Sequence, residues 1–161
     1  MADSETTKAL GILLNDLISG SSSSGSWVLN SEDPGLLKSL DALTGEQASK
    51  VSGSGGSSIA AHVDHLRYGF QLLNQWSAGD EQALADADFS AAWRRNTVSQ
   101  EEWVTLREDL AREALAWLKS LEHSKNGGPG VDARIASVVH LAYHVGAIRQ
   151  IDRALCGPRA R

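Results

Sequence analysis

Apolar residues recur at three- and four-residue steps through four long stretches of this chain, a period that gathers them on one face of a helix. Leu10, Leu13, Leu14, Leu17 and Ile18 share such a face on a first helix that starts near Asp3 or Ser4 and stops at Gly20. Ile59, Val63, Leu66, Phe70, Leu73 and Trp76 mark a second, from about Ser58 to Ala78, with Gly79 as its stop. Behind the capping box Ser99-Gln100-Glu101-Glu102, Trp103, Leu106, Leu110, Ala114, Trp117, Leu118 and Leu121 carry a third. A fourth, which Asp132 is placed to cap, holds Ile135, Val138, Ala142, Val145, Ile148, Ile151 and Leu155 and ends at Gly157-Pro158. No segment alternates with a period of two for long enough to make a strand. The expected class is therefore all-α, a four-helix bundle.

The connections refine this picture. Gly20 to Ser26 and Ser52 to Ser57 are Gly/Ser runs that cannot bury apolar surface and read as flexible loops. Between them, Asp33-Pro34 opens a short helix carrying Leu36, Leu37 and Leu40, with proline suited to its first turn, and the capping box Thr44-Gly45-Glu46-Gln47 opens another short turn. The connector from Gly79 to Val98 is long for neighbouring helices. Roughly twenty residues at up to ~3.3 Å each can re-cross the ~30 Å of the preceding helix. This predicts a long crossover between helices 2 and 3 of the bundle, which then run parallel in an up-down-down-up topology. A small helix over Glu81 to Ala92, packed on the side, is the competing arrangement.

At 161 residues, with 42% hydrophobic content, the chain fits one globular domain spanning 1–161, large enough to bury a core without disulfides or a structural metal. The net charge of −5, with no cluster of Lys and Arg, argues against a nucleic-acid partner, because such affinity rests on neutralising phosphates. A single cysteine, Cys156, allows no intrachain disulfide, the N-terminal residues are acidic, and no apolar run approaches the ~20 residues that span a bilayer. A soluble, cytoplasmic protein with no membrane association is the expectation.

Four of the five histidines fall on two of the predicted helices: His62 and His65 on the second, His140 and His144 on the fourth. Residues four apart lie within about 40° of one direction and ~6 Å along the axis, so His140 and His144 can face one ion together. Their neighbours at Ser137, Ile148 and Ile151 put the pair on an inward stripe, where a polar ring needs a partner. A third nitrogen from another helix would complete the three-ligand arrangement typical of catalytic zinc. His65 is the candidate, and His62 is second choice or a nearby acid–base group in the pocket. Absence of a glutamate after His140 excludes the helix-borne protease motif, and Cys156 lies ~18 Å beyond His144 along a straight helix.

Two stretches carrying these residues resemble the DinB-like family of four-helix-bundle metalloenzymes, which also contains thiol-dependent S-transferases. Ser58-Ile59-Ala60-Ala61-His62-Val63-Asp64-His65-Leu66 is similar to the family's second helix, where the ligand histidine precedes an aliphatic residue. His140-Leu141-Ala142-Tyr143-His144-Val145-Gly146 is similar to its fourth, with H-x-x-x-H followed by glycine. The stretch Leu36 to Ala48 and Trp103 also fit, so the resemblance covers most of the chain. It implies a ligand set of His65, His140 and His144, with no ligand counterpart for His62. Many members carry Gln where this chain has Ala147, a difference that removes one contact of the kind that orients ligands.

Two functions follow as expectations. The first is a metal-dependent enzyme of hydrolase or thiol S-transferase type, with a divalent transition metal, zinc or nickel, and a small-molecule substrate that includes a low-molecular-weight thiol in the transferase case. The second is a non-catalytic binding or scaffold protein with a structural or vestigial ion, motivated by the lack of an identifiable general base. For an acidic thiol, Arg67, Arg134 and Arg149 are the candidate basic residues at the mouth, each weighed against a plain solvated helix-face charge. Trp27 and Trp93, in predicted loops, are candidates to cover the pocket, weighed evenly against simple edge packing, while Trp103 and Trp117 read as core. The family and the many apolar positions lead to the expectation of a homodimer.

Overall fold

A computed structural model describes residues 2–21, 26–51, 56–122 and 129–157. The Gly/Ser runs expected to be flexible lie largely outside these residues, as do Asn126 to Gly128 and Pro158. Six α-helices are described: α1 (Ala2–Ser19), α2 (Gly35–Leu40), α3 (Gly45–Ala48), α4 (Ile59–Ser77), α5 (Gln100–Glu122) and α6 (Val131–Ile151), with 3-10 turns at Ala91–Trp93 and Arg153–Leu155. Among the described residues there is no strand, only an isolated bridge between Val51 and Ser58. No described helix is long and apolar enough to cross a membrane.

The helix starts follow local side-chain chemistry. Ser58 caps α4 by accepting from the Ala61 amide at 3.2 Å. Thr44 and Gln47 form the reciprocal box that opens α3, and Ser99 and Glu102 do the same before α5, at 2.7 and 3.1 Å. Three boundaries differ from expectation. Pro34 is the N-cap of α2 and not its first turn, with the Asp33 carboxylate accepting from the Gly35 amide at 3.0 Å. Gly130, not Asp132, caps α6, and Asp132 sits in the first turn. The last helix ends at Ile151 because Asp152 turns to extended backbone and uses its carboxylate to cap the following 3-10 turn through the Ala154 amide at 2.9 Å. Between α1 and α2, Gly20 and Gly35 both have positive φ and lie so close that a Cβ on either would collide with the other's backbone.

Hydrogen bonds between elements establish the directions. The Ser58 amide donates to Asn96 Oδ1 at 3.2 Å near the starts of α4 and α5, and Asn74 Nδ2 donates to the Glu113 carbonyl at 3.0 Å farther along both, so the two are parallel. Trp117 Nε1 donates to Ser137 Oγ at 2.9 Å, pairing the end of α5 with the start of α6. Arg134 donates to Thr7 Oγ1 at 2.8 Å, and Arg149 pairs with Asp33 beyond the end of α1, also at 2.8 Å, so α1 and α6 run together. The result is the up-down-down-up bundle, with a crossover joining α4 to α5. That crossover is a chain of turns and one 3-10 turn, not a single helix over Glu81 to Ala92.

The core lies where the four long helices meet. Trp103, Trp117, Leu14, Leu17, Leu110, Leu141 and Ile148 are fully buried, each contributing on the order of 2 kcal/mol of apolar transfer. Both indole N–H groups are satisfied, Trp103 by the Leu43 carbonyl at 2.8 Å and Trp117 by Ser137, which lets the two large rings stay inside.

Candidate metal centre

The first two turns of α4 are buried without a break from Ile59 to Leu66, so both of its histidines enter the bundle. Because α6 runs antiparallel to α4, the two histidine pairs meet in reversed order. His62 Nδ1 lies 2.8 Å from His144 Nδ1, and His65 Nε2 lies 3.0 Å from His140 Nε2. Ring centroids of His65 and His144 are 4.9 Å apart, and those of His140 and His144 are 4.5 Å apart. His65, His140 and His144 each offer a ligand atom within 4.8 Å of the other two, the one group of this kind among the described residues. Of the expected residues, these three are brought together as a possible ligand set. His62 is not one of the three, and its ring contacts Nδ1 of His144.

These residues fit a cation. Two bonds of ~2.0–2.1 Å to one ion place the donor nitrogens roughly 3–4 Å apart, a range that includes the 3.0 Å between His65 and His140. His65 Nδ1 is buried and has no hydrogen-bond partner. An orphaned polar atom of this kind costs about 1–3 kcal/mol, so local hydrogen bonding alone does not account for the ring's position.

The electrostatics favour the metal-binding form. Burial, reinforced by the charges that His140 and His62 would carry, pushes His65 down to about 4, with Asp64 opposing the shift. Burial and the neighbouring His140, His62 and His65 push His144 down to about 3. His62 is lowered by burial as well. His140, expected on the inward stripe, is instead exposed at the rim of the site, and the side chains packed around its ring lower it in the same direction. The rings are therefore neutral near pH 7, with lone pairs available to a cation.

The surroundings come partly from residues that sequence reasoning identified and partly from others. Trp93, on the 3-10 turn of the crossover, stacks on His65 with centroids 4.4 Å apart and meets His62 edge-on at 5.2 Å. Trp93 thus covers the rings, whereas Trp27 remains 78% exposed on the loop after α1. Asp64 turns its carboxylate to Arg67 Nε at 2.8 Å and to Arg95 at 3.5 Å. The arginines expected at the mouth are engaged elsewhere. Arg67 is held by Asp64 and Gln71, Arg134 by the Pro129 carbonyl and Thr7, and Arg149 by Asp33. Thr7 and Asp33 are distant in sequence, so spacing gave no hint of them, whereas Asp64 and Gln71 lie three and four residues from Arg67 on the same helix. Phe89 and Tyr143 also approach the site, 6.4 Å from His65 and 5.0 Å from His144, and neither was foreseen. A large aromatic isolated in a polar connector was the available signal for Phe89.

A family model described as the DinB superfamily matches residues 34–147, a span that includes all four of these histidines. No curated protein and no solved structure gives a significant match to the chain.

Proposed function

The chain belongs to the DinB superfamily, and on that premise we propose that it is a metal-dependent enzyme in which His65, His140 and His144 hold one divalent cation, zinc or nickel. Its chemistry on this reading is hydrolysis of a small molecule or transfer of a low-molecular-weight thiol. The observation that carries the reading is the convergence of three neutral imidazoles, from two antiparallel helices, within 4.8 Å. When bound, such a cation lowers the pKa of a water or a thiol toward ~7, making a nucleophile available at neutral pH.

The chain's own residues prepare the site in three ways. Three protein nitrogens leave a coordination position open for a reactant. The 2.8 Å contact between His62 Nδ1 and His144 Nδ1 holds one proton between two rings and so orients His144, the role an outer partner plays for a ligating histidine. His62 is also the pocket's candidate acid–base group, since Asp64 is engaged by Arg67 and Arg95. Trp93 keeps water from one face of His65.

The commitment of Asp64 to arginines leaves no carboxylate base at the rings from that residue, and this favours the second reading, a binding protein with a structural ion. His144→Ala separates the two. Loss of metal and of activity toward p-nitrophenyl esters or thiol acceptors, with little change in melting temperature, supports the enzyme. A large drop in melting temperature with no activity in the loaded parent supports the structural ion.

The remaining proposals are a single domain, a cytoplasmic location and a homodimer. For the dimer the support is an exposed apolar stripe at four-residue spacing on α6: Val131, Ile135, Val139 and Tyr143.

A further inference from the structure

A groove of about 190 Å³ starts at His65 and His140 and runs between α4 and α6 beneath the crossover. It exists because facing positions carry small side chains: Gly69 on α4, one turn beyond His65, and Ala133 and Ala136 on α6. A Cβ built on Gly69 meets nothing within 4 Å. Leu66, Phe70 and Leu141 contribute apolar wall, and Leu84 and Phe89 line it from the crossover. Tyr68 steadies that segment, its hydroxyl accepting from the Asp88 amide at 3.2 Å and its ring standing edge-on to Phe89 at 6.0 Å.

The polar groups of the groove are confined to one end. Ser137 lines it, but its hydroxyl accepts from Trp117 and donates to the Arg134 carbonyl at 2.7 Å. No Lys, Arg, Asp or Glu is among the lining residues, so the groove offers no counter-charge to a charged group. At the imidazole end, His65 is 7% exposed and its Nδ1 has no partner. An apolar cavity of about 150 Å³ accommodates a benzene ring, which sets the scale of the occupant.

We propose that the substrate carries an uncharged apolar group, the size of a phenyl ring or short alkyl chain, that lies in this groove and places its reacting polar atom at His65 and His140. This rests on the function proposed above and adds the substrate class. The groove takes an apolar chain or ring, and an acidic thiol has no counter-charge within it.

Two binding measurements test the inference. Fluorobenzene, followed by 19F NMR, reads the groove in metal-free protein and needs no cation. The expected result is saturable binding that Gly69→Leu abolishes and Phe89→Ala weakens. Gly69→Leu fills open space and improves helix propensity, so it keeps the fold, and Phe89→Ala removes a half-exposed side chain as a second check. In zinc-loaded protein, n-alkanethiols from ethanethiol to hexanethiol are titrated by calorimetry. Affinity rises about fourfold per methylene in the parent and stays flat in Gly69→Leu, whose zinc content is unchanged. Binding of fluorobenzene that ignores both substitutions, or thiol affinity independent of chain length in the parent, overturns the inference while leaving the metal reading intact. Failure to take up zinc, with fluorobenzene binding still sensitive to Gly69→Leu, overturns the metal reading and leaves the apolar subsite standing.

Discussion

Acidifying the metal-free protein from pH 7.5 to 5 will destabilise it through the same histidines. In the folded chain burial holds His65 near 4 and His144 near 3, against 6.5 for an exposed imidazole. Below pH 6.5 the unfolded chain takes up protons at these positions and the folded chain does not, so stability falls as the pH drops. The loss continues until the pH reaches the folded-state values. At pH 5 each ring accounts for about 2 kcal/mol, roughly 4 together, which is a large share of the 5–15 kcal/mol typical of a domain. The two rings are 7% and 2% exposed, so added salt will recover little of it. Carboxyl groups held low at the surface, such as Asp88 and Glu102, contribute only at more acidic pH, which separates the two effects. Urea unfolding followed by circular dichroism at pH 7.5, 6.5, 5.5 and 5.0 measures the slope, to which the lowered His62 and His140 also contribute, and His144→Leu will reduce it. A stability that is flat between pH 7.5 and 5, or a slope that His144→Leu leaves unchanged, refutes the reasoning.

Other substitutions test separate parts of the account. Arg149→Met leaves Asp33, which is 3% exposed, without its 2.8 Å ion pair and will cost about 3–5 kcal/mol in urea unfolding; a cost below about 1 kcal/mol contradicts the buried pair. Trp103→Phe removes the donor to the Leu43 carbonyl as well as ring volume, and a loss of about 2–3 kcal/mol is expected by the same assay. Val139→Glu, on the exposed stripe of α6, will yield a monomer by light scattering at unchanged helix content, whereas an unaltered mass removes that face from the dimer proposal. Trp93→Ala uncovers His65, so its imidazole will titrate closer to 6.5 by NMR, with the fold retained.

The long helices were legible because their apolar faces are wide and regular, and the crossover because the stretch from Gly79 to Val98 exceeds what a tight turn needs. Boundaries were less so. Asp132 looks like a cap by residue type, yet Gly130 takes that position, and Asp152 ends α6 by capping a turn that no periodicity reveals. At the site, the i,i+4 spacing of His140 and His144 was visible in one dimension. Which histidine of α4 completes the trio depends on the antiparallel register that sets His62 against His144 and His65 against His140, a relation between helices and not a property of either. Arg134 and Arg149 were offered to a ligand because their partners, Thr7 and Asp33, lie more than a hundred residues away. The groove was hidden for a different reason. It is made by what Gly69, Ala133 and Ala136 lack, and patterns of apolar residues report what is present.

X-ray absorption at the metal edge, combined with anomalous diffraction from crystals of the zinc-loaded protein, bears most directly on the centre. The account predicts one ion per chain with imidazole nitrogens of His65, His140 and His144 at ~2.0–2.1 Å and His62 outside that sphere. An ion bound elsewhere, or these rings turned away from a common point in the loaded protein, contradicts it.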